Sequence, residues 1–456
     1  MGPAGPPGAG GAAGDQGDSA LVRLDDEPAG AHCENGGVAV HAGVDDNGDG
    51  VLQDGEIDTT EYVCGNAATP CTTLEGDFVV ENSLDLATFK LHGCSRITGS
   101  LRIENTMLTS LPGLETLTRV DGDVLIGSNP VLANLDGLSH LTQAEFVAVA
   151  FNDVLTSAAL PALTTAQSVI VENNPDITSV SLPQLTSVTD VVRFEANDSL
   201  TGVANINKLT SVPYLIILGN NALTTVSGFT ALTTTSGELA ISGNAALTSI
   251  SGFGALTSTG DFHIFDNDAL TSVAGFGALA TATGEFGIGR DPLLTTLPTF
   301  PALTQAESFI LLDLPALPTL SGFNAFTHTT GTDYNPNTFE TINGYFYIIG
   351  LDALTDITNF TALTQTGTDF ALMNNAQLAD ASGFTALTTV GLDFGLIGNT
   401  LLADASGITA LTTVSHNFVV QANPVYPECQ ATAWAQTLTI GGAPQIGGND
   451  TTATCN

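Results

Sequence analysis

The stretch ALTTVSGFTALTTTSGELAISGNA, Ala222 to Ala245, recurs in degenerate copies along most of the chain, and its reading decides the fold. Anchoring each copy on the Leu or Ile beside a Thr/Ser slot gives Leu108, Leu132, Leu155, Ile177, Leu200, Leu223, Leu247, Leu270, Leu294, Leu317, Leu354, Leu378 and Leu402. These anchors stand 22 to 24 residues apart, with one interval of 37. A repeat of that length describes stacked coils, not a closed globule built round one cleft.

Within a copy the pattern is that of a strand. Leu239 and Ile241 alternate with Glu238, Ala240 and Ser242, so one face is buried and the other is not. The same two slots hold Val124/Ile126, Phe262/Ile264 and Phe394/Leu396, among others, and Gly, Asn and Ser mark the corners. A mainly β chain with one coil per repeat is a parallel β-solenoid, here of about 13 to 14 coils and roughly 65 Å at the usual strand spacing. Helical repeats fit less well, because the copies are rich in Thr, Gly, Val and Phe. An Asn recurs three residues before the anchor, at Asn105, Asn129, Asn152, Asn174, Asn197, Asn220, Asn244, Asn267, Asn375 and Asn399. Stacked amides of this kind bond one another and the turn backbone, so the column is expected to be structural.

The column breaks at Asp291, Leu314 and Leu351, around the long interval. There the segment from Thr327 to Ile348 carries roughly 13 extra residues, and insertions in solenoids emerge as loops that often carry function. Asp333, Tyr334, Asn335, Asn337, Tyr345 and Tyr347 fall in it and are the candidate ligand-binding residues. Rings stack on sugars and the polar neighbours supply hydrogen bonds; the structural alternative is that the tyrosines plug irregular coils.

The repeats, and the stretch from Cys71 to Asn105 (CTTLEGDFVVENSLDLATFKLHGCSRITGSLRIEN), resemble the receptor L-domain family. That resemblance covers about Cys71 to the C-terminus. It implies a right-handed, leucine-rich-like β-helix, with Cys71 and Cys94 as the disulfide of its opening coil. The chain departs from the family by running to many more coils than a single receptor L domain, and receptor function does not carry over with the fold.

Upstream the composition changes. Gly2 to Ser19 reads GPA GPP GAG GAA GDQ GDS, in-register Gly-X-Y triplets that predict a collagen-like stem and therefore a homotrimer. Asp45 to Glu56 reads DDNGDGVLQDGE and matches the twelve-residue calcium loop at every constrained position. Asp45, Asn47 and Asp49 would donate side-chain oxygens, Val51 its carbonyl, Gln53 a direct or water-mediated contact, and Glu56 a bidentate carboxylate. The flanks GGVAVHAG and IDTTEYVC read as strands or turns, so this is an EF-hand-like loop outside an EF-hand; an acidic solvated turn is the plainer alternative. Ala20 to Cys64 resembles a small module that follows collagen-like stems in bacterial surface proteins, chiefly of myxobacterial type. The predicted organisation is a stem at 1–19, a disulfide-stapled calcium-loop module at 20–68, and an L-domain-like solenoid at 69–456, with its insertion near 327–348 and a C-terminal cap at 424–456.

Six cysteines cluster as Cys33 with Cys64, Cys71 with Cys94, and Cys429 with Cys455. Paired cysteines place the chain in an oxidising, extracellular or cell-surface setting, with an export signal expected upstream of the sequence. The formal charge is −39, from 8 Lys plus Arg against 47 Asp plus Glu, which repels nucleic acid and anionic membranes. No apolar run is long enough for a transmembrane helix. His32, His41, His92, His140, His263, His328 and His416 are scattered without metal or triad spacing, and eight basic residues leave little for an Arg/Lys lyase site. The expectation is a non-enzymatic adhesion or recognition protein meeting a glycan or a cell-surface protein. A structural matrix or envelope protein, a polysaccharide-acting β-helix enzyme, and an ice-binding face built on Thr columns such as Thr224, Thr248, Thr271 and Thr295 are the alternatives.

Overall fold

The computed structural model describes residues 20–47, 50–65, 71–332, 334–335, 340–341 and 343–455. The collagen-like triplets lie outside the described residues. From Phe78–Val80 to Gln445–Gly447 the chain winds as a parallel β-solenoid whose longest side is a sheet of sixteen strands. That is more than the anchors indicate. The opening coil and the two coils after Leu402 continue the sheet without the anchor signature, Tyr426 standing where an anchor would be.

The two-residue alternation of the repeat becomes register. Leu239 pairs with Leu215 on one side and Phe262 on the other, and Ile241 with Ile217 and Ile264. All six are fully buried. Two shorter parallel sheets close the other sides of the coil. One runs from Ser157–Ala159 to Ser272–Val273, and the other includes Thr281–Ala282, Gln305–Ala306 and His328–Thr329.

Asparagines fill one corner. Asn244 is fully buried; its Nδ2 donates to the carbonyls of Ile217 and Ser242 and to Asn267 Oδ1, while its own Oδ1 accepts from Asn220. The residue before each rung turns into the left-handed region, as at Gly243 (φ 66°) and Arg290 (φ 53°), which aims the next side chain inward. The first rung differs from the spacing expectation: Thr106 is buried and donates to Asn129 Oδ1, while Asn105 takes the left-handed position before it. The column also runs beyond Asn399 through Asn423 to Asn449. Inside, two files of phenylalanine stack along the axis, Phe262, Phe286, Phe309, Phe346, Phe370, Phe394 and Phe418 in one, and Phe229, Phe253, Phe276, Phe300, Phe323, Phe360 and Phe384 in the other. The files meet edge to face, as at Phe286 and Phe300 (5.0 Å between centroids, 88°), the arrangement ring quadrupoles favour.

Both ends are closed. Helix α1, Ser83–His92, is capped by Asn82 and ends at Gly93 (φ 62°), and it covers the first coil with Leu86, Ala87 and Phe89. On α1 sits a three-stranded antiparallel sheet, Ala20–Glu27, Gly37–Val44 and Ile57–Cys64, tied by Cys33–Cys64. Lys90 Nζ donates to the Leu24 carbonyl, and Leu24, Val38 and Val40 join the solenoid core, so this module is packed onto the rod as an outer cap. Cys71–Cys94 ties the first coil. At the other end helix α2, Glu428–Ala435, is held by Cys429–Cys455, and Trp434 meets Phe394 and Phe418 edge to face.

Candidate functional site

The acidic loop lies between the second and third strands of the outer cap. Asp45 is nearly buried and its Oδ2 accepts the Gly50 N–H at 2.8 Å; Gly50 holds φ 79°, the sharp turn a calcium loop needs at its sixth position. Glu56 Oε2 accepts the Gln53 N–H at 2.9 Å. Arg23 braces the loop from outside, donating to the Leu52 carbonyl and to Asp54. Asp49 lies outside the described residues, and Val51 is mostly exposed with its carbonyl in the loop. Among the described residues no three His, Cys, Asp or Glu side chains converge as a metal cluster. The left-handed turn at Gly50 and the run of hard oxygen donors are what a calcium loop would need.

In the chain the insertion falls between Thr332 and Asn343. Its described parts are a short antiparallel pair, Tyr334–Asn335 with Glu340–Thr341. Asp333 and Asn337 lie outside the described residues, and only the backbone places Tyr334 and Asn335. Tyr345 and Tyr347 are not on that excursion. They flank Phe346 on the strand Phe346–Ile349, which pairs with Ser308–Leu312 before it and Phe370–Met373 after it, so both rings stand on the outward face of the long sheet.

There they are held. The two rings stack at 4.6 Å, Tyr345 donates its hydroxyl proton to Glu285 Oε2, and Tyr347 donates to Asp369 Oδ2 at 2.7 Å. Burial, and then the Glu285 carboxylate, raise the Tyr345 phenol above its ordinary value. Glu285 in turn meets His263 Nε2 at 3.3 Å, and His263 Nδ1 meets Glu238 Oε1 at 2.8 Å. Burial alone would lower the imidazole; the two carboxylates outweigh it and hold His263 at about 9, protonated at neutral pH. The same pairing lowers Glu285 despite its burial. Beyond His263 the face continues to Phe265, whose ring carries the Arg290 guanidinium at 5.0 Å, and Arg290 is clamped by Asp266 at 2.6 and 2.8 Å. A shallow groove joins Glu238, His263, Phe265, Asp266 and Arg290 to Arg193, Glu195, Ile216 and Leu218.

His263 is the residue the sequence scan for triads and metal spacings passes over. Its partners Glu238 and Glu285 lie 25 and 22 residues away in the chain, one coil to each side, so the signal is an offset of one period. A second column also escaped the repeat reading: Asp77, Asp369 and Asp393 stand just before the strand and Asp261 within it, and each accepts a backbone N–H of the next coil, as Asp261 does from Glu285 at 2.7 Å. The threonine columns behave likewise. Thr224, Thr248 and Thr271 each donate their hydroxyl to the carbonyl one coil earlier, at 2.9 to 3.1 Å.

Comparison with known proteins gives two family matches. Residues 70–212 match the receptor L domain, and residues 19–64 match a domain of unknown function, DUF7151. The first is the opening third of the solenoid; the second is the outer cap with its acidic loop. No curated protein matches the chain. Among solved structures a leucine rich cell surface protein from Faecalibacterium prausnitzii A2-165 is similar at 12% identity over 62% of this chain and 79% of that one, with a TM-score of 0.15, a score too low to decide anything about fold or function. No helix among the described residues is long and apolar enough to cross a membrane.

Proposed function

We propose that this chain is a non-enzymatic recognition or adhesion protein of the bacterial cell surface, presenting its solenoid on a trimeric collagen-like stem. Its contact face is the outward side of the long sheet where the insertion leaves it. The carrying observation is the pinned pair Tyr345 and Tyr347. Aromatic groups immobilised before binding lose little entropy on contact, which is what a recognition surface needs. Ile310, Leu312, Ile349 and Met373 extend the face with part-exposed apolar side chains. The three disulfides and the receptor L domain match support an extracellular setting. We infer further that the loop from Asp45 to Glu56 takes calcium and stiffens the outer cap.

The chemistry of the face argues for binding over turnover. Glu238 and Glu285 are the carboxylate pair that a polysaccharide-cleaving site would use, yet both are ion-paired to the His263 imidazolium between them, and a lowered Glu285 is a poor proton donor at neutral pH. Nor do the Thr columns favour ice. Their hydroxyl protons are committed to carbonyls along the rod.

The test is a panel of immobilised polysaccharides and cell-surface proteins probed with the full chain, with product analysis on the same samples. Retention on at least one surface without new reducing ends is the expected result. Turnover of a bound polysaccharide would replace this reading with an enzymatic one, and no retention on any surface would favour the structural matrix.

A further inference from the structure

Asp291 occupies an asparagine position. It stands one coil above Asn267 in the corner column, is fully buried, and its Oδ1 accepts the Asn267 backbone N–H at 2.8 Å, as the Oδ1 of every asparagine rung does for the coil below. Its other oxygen is different. Oδ2 is one of three buried side-chain polar atoms among the described residues with no hydrogen-bond partner.

In the rungs below, the atom at that place is the Nδ2 donor. Asn267 Nδ2 gives its protons to the carbonyls of Ile241 and Phe265. Ile264 is the register partner of Ile241, and Gly289 that of Phe265, so the equivalent surroundings of Asp291 Oδ2 are the Ile264 and Gly289 carbonyls. A carboxylate oxygen facing carbonyl oxygens is repelled and has lost its water; a carboxylic O–H in the same place donates a hydrogen bond and completes the rung. The next two positions in the column are Leu314 and Leu351, which offer no donor from above.

We infer that Asp291 is a protonated rung of the ladder, a carboxylic acid performing the donor role of an asparagine amide, and that this makes its coil a pH-sensitive joint in the rod. The charged groups facing it are few. Asp266 and Arg290 sit at the corner positions of the preceding coil and of its own and are bound to each other, and Asp313 follows Arg290 one coil on. Burial, assisted by Asp266 and opposed by the Asn267 bonds and by Arg290, pushes the acid up to about 7 from an ordinary value of 3.8.

Between about 4 and about 7 the folded chain binds a proton at Asp291 that the unfolded chain has released, so rising pH removes stability across that window and changes nothing above it. Because the joint carries Arg290 and lies beside Phe265, proton loss loosens one end of the groove on the long sheet.

Two measurements on the full chain decide it. Isotope-edited infrared spectroscopy should find one carboxyl still protonated at pH 6 that disappears in Asp291→Asn. The unfolding constant of the wild-type chain, divided by that of Asp291→Asn, should grow about tenfold per pH unit across the same window and then level off. Asp291→Leu, which copies the apolar rungs above, should show no titration either. A ratio flat between pH 4 and pH 7, or an Asp291 signal titrating with the surface carboxylates, overturns the proposal; should Asp291→Asn fail to fold, the infrared titration of the wild-type chain against Asp291→Leu still decides it.

Discussion

At the scale of single residues the molecule is organised by one rule: a residue's neighbours lie one period away. Asn244 is bonded to the rungs below and above and to two strand carbonyls, so truncation strands several buried polar groups at once. Asn244→Ala is expected to cost on the order of 3 kcal/mol, read from the shift in denaturation midpoint, whereas a change at its exposed neighbour, Ala245→Ser, should alter little. His263 provides a second check. Its folded value, about 9, lies above the ordinary 6.5, so the contribution of its two carboxylate pairs is complete below about 6.5 and disappears as pH rises through about 9. The stability gap between the wild-type chain and His263→Gln should close over that window; a gap constant with pH would show that the imidazolium is not held by Glu238 and Glu285. The histidine itself was in plain view in the sequence, and only its partners were hidden. Periodicity exposes columns of like residues well and mixed columns poorly, which is also why the Asp261, Asp369 and Asp393 caps went unread.

At the scale of elements the sequence was most legible where one residue type repeats. Leu239 and Ile241 predict a strand with one buried face, and the strand is there; Asn129 to Asn399 predict a corner ladder, and it is there. It was least legible where geometry overrides spacing, as at Thr106, which displaces Asn105 from the first rung, and at Tyr345 and Tyr347, which the insertion length assigns to a loop and register assigns to the sheet. The acidic loop awaits its own test. Calorimetric titration of the full chain should give calcium binding in the range of about 10⁻⁴ to 10⁻³ M, as extracellular loops of this type do. Glu56→Gln should weaken it most, since it removes half of the bidentate contact, and thermal unfolding of the cap should shift upward with the metal. Absence of both heat and melting shift at several times that concentration would leave an acidic turn held by Arg23.

At the scale of the whole molecule the chain is a capped rod of roughly 70 Å, sixteen strands at the usual spacing, with a charge of −39 and Arg290 as the last basic residue in the sequence. Both caps are needed because a solenoid end otherwise exposes an apolar cross-section. Stability in such a rod is summed from neighbouring coils, so two outward side chains can be changed without unfolding the remainder. The measurement that bears most directly on the recognition reading is therefore binding of the full chain, and of its Tyr345→Ala/Tyr347→Ala variant, to the immobilised surface that retains it, with thermal unfolding followed in parallel. The account predicts a variant that still unfolds in one cooperative transition and binds at least about tenfold more weakly. A folded variant that binds as before would contradict a contact face centred on the two rings, and one that no longer folds would show the rings to be a structural plug.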